Sequence, residues 1–258
     1  MKRWIVLKSL FVKVIIEMKR YMFNTVSSLV TMYIVFLLLF FGAKAVGGTA
    51  FQAGDSLEGL VVGYIVWVFS IMAYSDLSWS ISNEAQIGTL EQMYLSPTGF
   101  AWVSGSLLVS RFMVNLVMVI ALLMVMMLTS GNWLNLDVIS LFPLLVVTIL
   151  GPYGIGFMMG GLALIYKRIQ SAFQILQFVF VAFVAVPINQ YYWMKYLPLA
   201  MGNKLVHQVM VDGDHLWQLP LGDVLVATIV GLAYFLIGLG TFAYCVTVAR
   251  DRGLMGQY

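Results

Sequence analysis

The residues best suited to a chemical task form a short acidic segment between two long apolar stretches. This segment, 82–97, contains Glu84 and Glu91 but no lysine or arginine. Asn83 is suited to cap a helix, and carboxylates near a helix N-terminus are stabilised by the helix dipole. We therefore predict a short helix over 83–95 whose carboxylates are available to the basic groups of a partner.

The spacing of this segment gives the predicted helix two adjacent faces. At 100° per residue, one face is acidic and the other is apolar. The acidic face consists of Glu84, Gly88 and Glu91, and the apolar face consists of Ile87, Leu90 and Tyr94. An apolar ridge beside acids suits insertion into a groove of another protein, where basic groups at the rim meet the acids. The alternative is a solvated connecting loop whose glutamates have no partner.

The composition requires most of the surface to face lipid. Of the 258 residues, 62% are hydrophobic and 10% are charged, whereas a soluble domain has about 25% charged residues. The mean hydropathy is +0.95 and the formal net charge is only +3. A single cysteine, Cys245, excludes a disulfide framework and a metal site built from several cysteines.

Six stretches are apolar enough for a spanning helix, which needs about 20 residues. They are 22–41, 59–80, 107–128, 138–166, 169–193 and 224–249. The first stretch is longer than the apolar core of a cleavable signal peptide, which has roughly 7–15 residues, so we interpret it as a membrane anchor. The predicted fold class is all-α, a polytopic membrane protein with six transmembrane helices in a single domain over 1–258.

Lysine and arginine mark one side of the membrane. Six precede the first span, two separate the fourth and fifth spans, and two follow the sixth, so ten of the fourteen lie on one side. Such residues are enriched in cytoplasmic loops. We therefore expect a multi-pass protein of the cell membrane with both termini, and the acidic segment 82–97, on the cytoplasmic side.

Two further segments accompany these spans. In 3–20, apolar residues recur at helical spacing beside Lys13 and Arg20, which predicts an amphipathic helix in the inner interface, with a ragged basic anchor as the alternative. The segment 189–219 contains prolines and aromatic residues and is too broken to span. We predict that it forms short re-entrant or interfacial helices on the outer face, with aromatic rings at headgroup depth.

The acidic segment also resembles a family signature. Its order is Glu84, then Gly88-Thr89-Leu90-Glu91, then Ser96-Pro97. This string closely resembles the signature between the second and third helices of ABC type-2 transporter permeases, in the branch that exports drugs and lipids. The six spans, the N-terminal amphipathic helix and the broken outer segment extend the resemblance over the whole chain.

The resemblance implies a permease subunit of an ATP-binding-cassette exporter. Segment 83–95 would contain the coupling helix, 3–20 would be the elbow helix, and 189–219 would be the outer re-entrant helices that close the exit. The partners would be two copies of a separate ATPase subunit, which hold ATP and magnesium, and a second permease, either identical or related. The cargo would be a drug, a lipid or a lipid-linked molecule.

The chain itself lacks the residues of an ATPase. It contains no phosphate-binding loop of the form Gly-x-x-x-x-Gly-Lys-[Ser/Thr], and we expect the residues after Ala249 to be too few for an ATPase domain. We therefore predict no enzyme activity and no cofactor in this chain. Hydrolysis would occur on the partner subunit.

Other residues have plainer interpretations. Gly156, Gly160 and Gly161 are small residues in the fourth span, and we predict that they let helices pack closely. His207 and His215 lie near two aspartates, but neither their number nor their spacing indicates a metal site. We interpret them as solvated loop residues and predict no metal site.

Four amides in the spans are candidates for lining a path. They are Asn115, Gln170, Gln174 and Gln177. The three glutamines share a face of the fifth span, and the family's dimer seam involves helices one and five, which favours this face. Interhelical hydrogen bonding is an equal alternative.

Two other classes of function are weaker. An ion-coupled transporter or channel needs ionisable groups deep inside the spans, whereas Asp76 and Arg111 lie where they can reach the interface. An intramembrane enzyme needs paired catalytic residues at one depth, and the spans contain no such pair.

Overall fold

The protein is all-helical over the residues that the computed structural model describes, which are 2–46, 57–87, 100–166, 170–186, 188 and 191–251. The helices are α1 (Lys2–Arg20), α2 (Met22–Val46), α3 (Leu57–Ile87), α4 (Phe100–Ser130), α5 (Val138–Tyr166), α6 (Gln170–Val184), α7 (Ala200–His207) and α8 (Leu221–Asp251). A 3-10 turn, Tyr192–Tyr196, precedes α7, and a π-helical turn, Gln208–Asp212, follows it. The predicted all-α fold class is confirmed.

Five of these helices, α2, α3, α4, α5 and α8, are long and apolar enough to cross a membrane, as expected of a multi-pass membrane protein. The predicted span 169–193 is wrong in length, because α6 ends at Val184 after 15 residues. At 1.5 Å per residue it covers about 22 Å, short of the roughly 30 Å of a hydrocarbon core. The sequence places Pro187 just beyond, and proline disfavours helical backbone in the residue before it. Within the part of the chain that the structure describes, the six predicted spans therefore correspond to five long apolar helices and one shorter one.

Helices α2 to α6 and α8 alternate in direction and so define two ends of the bundle. We call the end where α1 begins and α3 ends the basal end, and the end where α3 begins and α4 ends the distal end. Exposed tryptophans of the described residues lie toward these two ends, with Trp4, Trp79 and Trp102 at the basal end and Trp133, Trp193 and Trp217 at the distal end. Tryptophan favours the boundary between lipid and water, so these rings bracket the apolar band.

The helix pair α5–α8 has the most extensive contact in the bundle. Small residues at seven-residue spacing form it, with Gly154 and Gly161 on α5 and Gly231 and Gly238 on α8; we call these four residues the glycine seam. A Cβ at Gly154 would overlap the carbonyl of Tyr234, and a Cβ at Gly238 would overlap the carbonyl of Gly154. Only glycine permits such close approach of two backbones.

Helix α3 lies at the centre of the bundle, where it packs against α2, α4, α5, α6 and α7. Within its most apolar window 61% of the residues are buried, compared with 11% for α2. Tyr74 is fully buried, and its ring meets Phe173 and Phe180 of α6 edge-on. A displacement of α3 would therefore reach most of the other helices.

The segment 191–219 folds back into the bundle. Pro198 lies against Gly151, near the middle of α5. From there α7 and the π-helical turn lead back to the distal end, where the amide of Asn135 donates a 2.9 Å hydrogen bond to the carbonyl of Met210. The chain between α6 and α8 thus descends to the middle of α5 and returns.

Candidate functional site

The predicted coupling segment falls partly within the described residues. The backbone of Glu84 and Ile87 belongs to the last turns of α3, so Asn83 does not begin a separate helix as we predicted. The reason is local, because the sequence contains no glycine or proline between Gly63 and Gly88, the residue types that most readily end a helix. The remaining predicted coupling residues, Gly88, Thr89, Leu90, Glu91 and Tyr94, lie outside the described residues.

Helices α3 and α4 both extend past their apolar stretches at the basal end. The apolar stretch of α3 ends at Asp76, and that of α4 begins at Gly105. Residues 77–87 continue α3 by roughly 16 Å and residues 100–104 continue α4 by roughly 7 Å at 1.5 Å per residue. The two extensions lead to the acidic segment.

Charged and amide side chains join three helices near the end of the apolar stretch of α3 and inside the first turns of the apolar stretch of α4. The carboxylate of Asp76 on α3 accepts a 2.9 Å hydrogen bond from Nδ2 of Asn115 on α4. Nη2 of Arg111, one turn earlier on α4, lies 3.5 Å from Oε2 of Glu17 on α1, and its positive charge also acts on Asp76. We call Glu17, Asp76, Arg111 and Asn115 the basal charge cluster. Asn115 is 5% exposed, so its bond to Asp76 is shielded from competing water.

Helix α5 contributes the adjoining wall of this cluster. The hydroxyl of Ser78, two residues beyond Asp76, donates a 3.0 Å hydrogen bond to the carbonyl of Gly156. The hydroxyl of Tyr153, three residues before Gly156 on α5, is buried with no hydrogen-bond partner among the described residues. Buried polar atoms without a partner are uncommon in folded proteins. The Tyr153 hydroxyl is therefore an exception within the apolar packing around it.

The basal charge cluster is the part of the site that the sequence did not predict as a unit. Asp76 and Arg111 were expected to reach toward the interface singly, whereas each of them pairs with another helix. The signal that could have revealed the cluster is Glu17, the single acid in an otherwise basic α1. Glu17 also lies 3.8 Å from Lys13 of its own helix, so this signal marks a carboxylate that pairs with a cation but does not identify Arg111.

Helix α1 lies along the start of α4. Nε1 of Trp102 donates a 3.1 Å hydrogen bond to the carbonyl of Arg3, and the Arg3 guanidinium lies 5.4 Å from the centre of the Trp102 ring. The predicted apolar face of 3–20 is divided, because Val14 is buried whereas Trp4 and Phe11 are exposed. The amide of Tyr21 donates a hydrogen bond to the carbonyl of Glu17, and the amide of Thr25 donates one to the carbonyl of Tyr21. Tyr21 is the single residue between α1 and α2.

The structure separates the four amides predicted to line a path. Asn115 belongs to the basal charge cluster, whereas Gln174 is exposed and Gln177 is partly buried on α6. The side chain of Gln170 lies outside the described set. An interhelical hydrogen bond, the alternative given for these amides, is what Asn115 makes.

The three glycines predicted to pack are all buried in α5. A Cβ at Gly161 would approach Cβ of Cys245 at 3.0 Å, and the carbonyl of Gly156 accepts the bond from Ser78. Gly160 lies between these two contacts in the chain. Among the described residues, no group of three or more possible ligands could hold a metal ion.

Comparisons with models of protein families, with curated proteins and with solved structures gave no match.

Proposed function

We propose that this chain is the permease subunit of an ATP-binding-cassette exporter. It would move a hydrophobic or amphipathic cargo out of the cytoplasm, driven by ATP hydrolysis on a separate subunit. The proposal combines the resemblance of residues 84–97 to the type-2 permease signature with a frame of long apolar helices.

The observation that supports it most directly is the basal extension of α3 and α4. Both helices continue past their apolar stretches toward residues 88–99, as is required if that segment is to meet a soluble protein. Of the ten cations expected inside, those that the structure describes belong to α1 and to the basal end of α8. By the positive-inside rule, this end would be the cytoplasmic one.

The mechanism follows from the central position of α3. An ATPase that grips 84–95 would move the end of a helix that packs against α2, α4, α5, α6 and α7. Binding and hydrolysis shift an equilibrium between inward-open and outward-open states only if the ATPase contacts the two states differently. The role of Glu84 and Glu91 would be to provide that difference through basic groups on the ATPase.

The permease would function as a pair. Helix α2 exposes an apolar stripe consisting of Val26, Val30, Ile34 and Leu38. In a bilayer such a stripe faces lipid or a second permease, and the resemblance favours the latter for the first span. The folded-back segment 191–219 would close the exit on the outer side.

Charge reversal of the acidic segment tests the proposal. In membranes containing the chain and its partner ATPase, Glu91→Lys should lower ATP-dependent cargo export at least tenfold, because it places a cation against basic groups of the partner. Glu58→Lys, at the opposite end of α3, is the matched control and should export normally. Normal export by Glu91→Lys would remove the proposed coupling.

An ion-coupled transporter remains the second candidate, and the basal charge cluster is the observation that favours it. Asp76 is partly buried and paired between helices, as a residue that binds a driving ion would be. Export from ATP-free vesicles under an imposed ion gradient would support this candidate. Its loss in Asp76→Asn, with Glu91→Lys unaffected, would establish it over the exporter.

A further inference from the structure

A second cluster of titratable side chains lies at the distal end, away from the residues of the proposed coupling. The carboxylate of Asp137, just before α5, accepts hydrogen bonds from Oγ of Ser140 at 2.6 Å and from Nδ1 of His215 at 2.8 Å. The bond to His215 joins positions 78 residues apart in the chain. The expectation that His215 is only a solvated loop residue missed this pair.

The same two segments are joined by further bonds. Oγ of Ser140, while donating to Asp137, accepts a 2.9 Å hydrogen bond from the amide of Leu216. We call Asp137, Ser140, His215 and Leu216 the distal latch. Together with the bond between Asn135 and Met210, the latch ties the returning part of the folded-back segment to the start of α5.

Local structure holds the imidazole in place. Gly213, with φ of 79°, is in the left-handed region that glycine adopts without strain, and it turns the chain out of the π-helical turn. The ring of His215 then stacks on that of Trp217, with centres 4.7 Å apart, and its amide bonds to Oε1 of Gln218 at 2.8 Å. These contacts restrict the ring in the same arrangement in which it bonds to Asp137.

The surroundings of Asp137 favour its ionised carboxylate, which is the form that accepts both hydrogen bonds. The hydrogen bonds from Ser140 and His215 hold the pKa of Asp137 below its ordinary value of 3.8. A lowered pKa stabilises the state in which the carboxylate is ionised, so this contribution is present above about pH 4 and is lost only as pH falls further. An ionised carboxylate only accepts hydrogen bonds, so Nδ1 of His215 carries the proton.

The other carboxylates of these segments do not take the place of Asp137 as the partner of His215. Asp212 and Asp214 belong to the same limb as His215. On the α8 side, Asp223 is engaged by Nζ of Lys204 at 2.7 Å. Asp137 is thus the carboxylate that the structure joins to His215.

We propose that Asp137 and His215 are positioning residues that hold the segment 191–219 in its folded-back state through the distal latch. The segment penetrates to Gly151 near the middle of α5 and buries Leu205, Val206 and Val209 completely, so its withdrawal from the bundle requires release of the latch together with loss of this packing. The claim that this withdrawal opens the exit for cargo rests on the proposed function. The existence of the latch does not.

Histidine NMR tests the latch in the purified full-length chain. The chain has two histidines, so selective ¹⁵N-histidine labelling of a His207→Gln background, in protein without a histidine tag, leaves His215 as the sole reporter. We expect a protonated, hydrogen-bonded Nδ1 whose shift moves toward that of free imidazole in Asp137→Asn. Asp214→Asn is the matched control and should leave the spectrum unchanged. Identical His215 spectra in the two variants would overturn the latch.

Hydrogen exchange of backbone amides is a second, independent test of the bond between His215 and Asp137. In His215→Ala the amides of Leu216 and Asn135 should exchange about fivefold faster, the factor for one hydrogen bond of about 1 kcal/mol. His215→Asn places an amide nitrogen near the position of Nδ1 and should restore slow exchange, whereas His207→Ala should have no effect. Unchanged exchange in His215→Ala would count against the latch.

Transport measurements decide whether the latch positions a gate. With the partner ATPase, His215→Ala should lower the cargo moved per ATP hydrolysed at least threefold while hydrolysis continues, and His215→Asn should restore the ratio. A normal ratio in His215→Ala would overturn the gating role. Failure of the proposed function is distinguished by Glu91→Lys, which changes no residue of the latch.

Discussion

Two regions of the bundle are held together by different physics. Along the glycine seam, α5 and α8 meet backbone against backbone, and neither helix can slide without a steric clash. Helices α1, α3 and α4 meet through the basal charge cluster, where a few polar bonds of about 1 kcal/mol each can break and form again. We infer from this difference that the α5–α8 contact resists displacement more than the contacts among α1, α3 and α4 do. Of these three helices, α3 and α4 carry the extensions toward the acidic segment.

The largest effect is expected from a substitution in the glycine seam. In Gly238→Val the new Cβ would overlap the backbone carbonyl of Gly154, and because backbone cannot rotate away, the helices must separate. Overpacking of this kind costs about 1–3 kcal/mol or more, which we expect to lower the melting temperature of the detergent-solubilised protein. Gly240→Val, on the same helix with open space at its Cβ, is the control. Equal melting temperatures for the two variants would show that the seam is not rigid.

A smaller effect on stability, but a clear one on function, is expected at Asp76. Asp76→Ala leaves the buried Nδ2 of Asn115 without its acceptor and should destabilise the fold by about 1–3 kcal/mol. Asp76→Asn keeps an acceptor oxygen for Asn115, and we expect it to recover most of that loss in chemical denaturation. If the region moves during transport, both variants should alter export more than their melting temperatures suggest. Wild-type stability of Asp76→Ala would contradict the role given to the cluster.

The elements predicted best are those fixed by local chemistry. The helix predicted from Val138 begins at that residue, because Asp137 and the polar residues before it interrupt the apolar run. The errors also have local causes, since α3 continues through Ile87 in a stretch without glycine or proline, and α6 stops at Val184, before the proline at 187. A scan for helix-breaking residues would have found both.

The pairings between distant residues were not predictable in the same way. Asp76 and Asn115 are 39 residues apart, and Glu17 and Arg111 are 94 apart. A single sequence indicates which residues are polar but not which of them the fold brings together. The distal latch was missed for this reason, because Asp137 and His215 each look like ordinary loop residues on their own.

The smallest predicted effect concerns the attachment of α1 to α4. Trp102→Phe removes the indole N–H that donates to the Arg3 carbonyl but keeps an aromatic ring near the guanidinium, so α1 should loosen by only about 0.5–1 kcal/mol. Limited trypsin cleavage at the exposed Lys8 and Lys13 would then proceed about twofold to fivefold faster, the factor corresponding to that energy. Trp4→Phe, at a ring that is 71% exposed, should leave the rate unchanged. Faster cleavage in Trp102→Phe alone would show that α1 is held by polar contacts that can break and form again. Equal rates in both variants would mean that α1 is fixed by packing, as α5 and α8 are along the glycine seam.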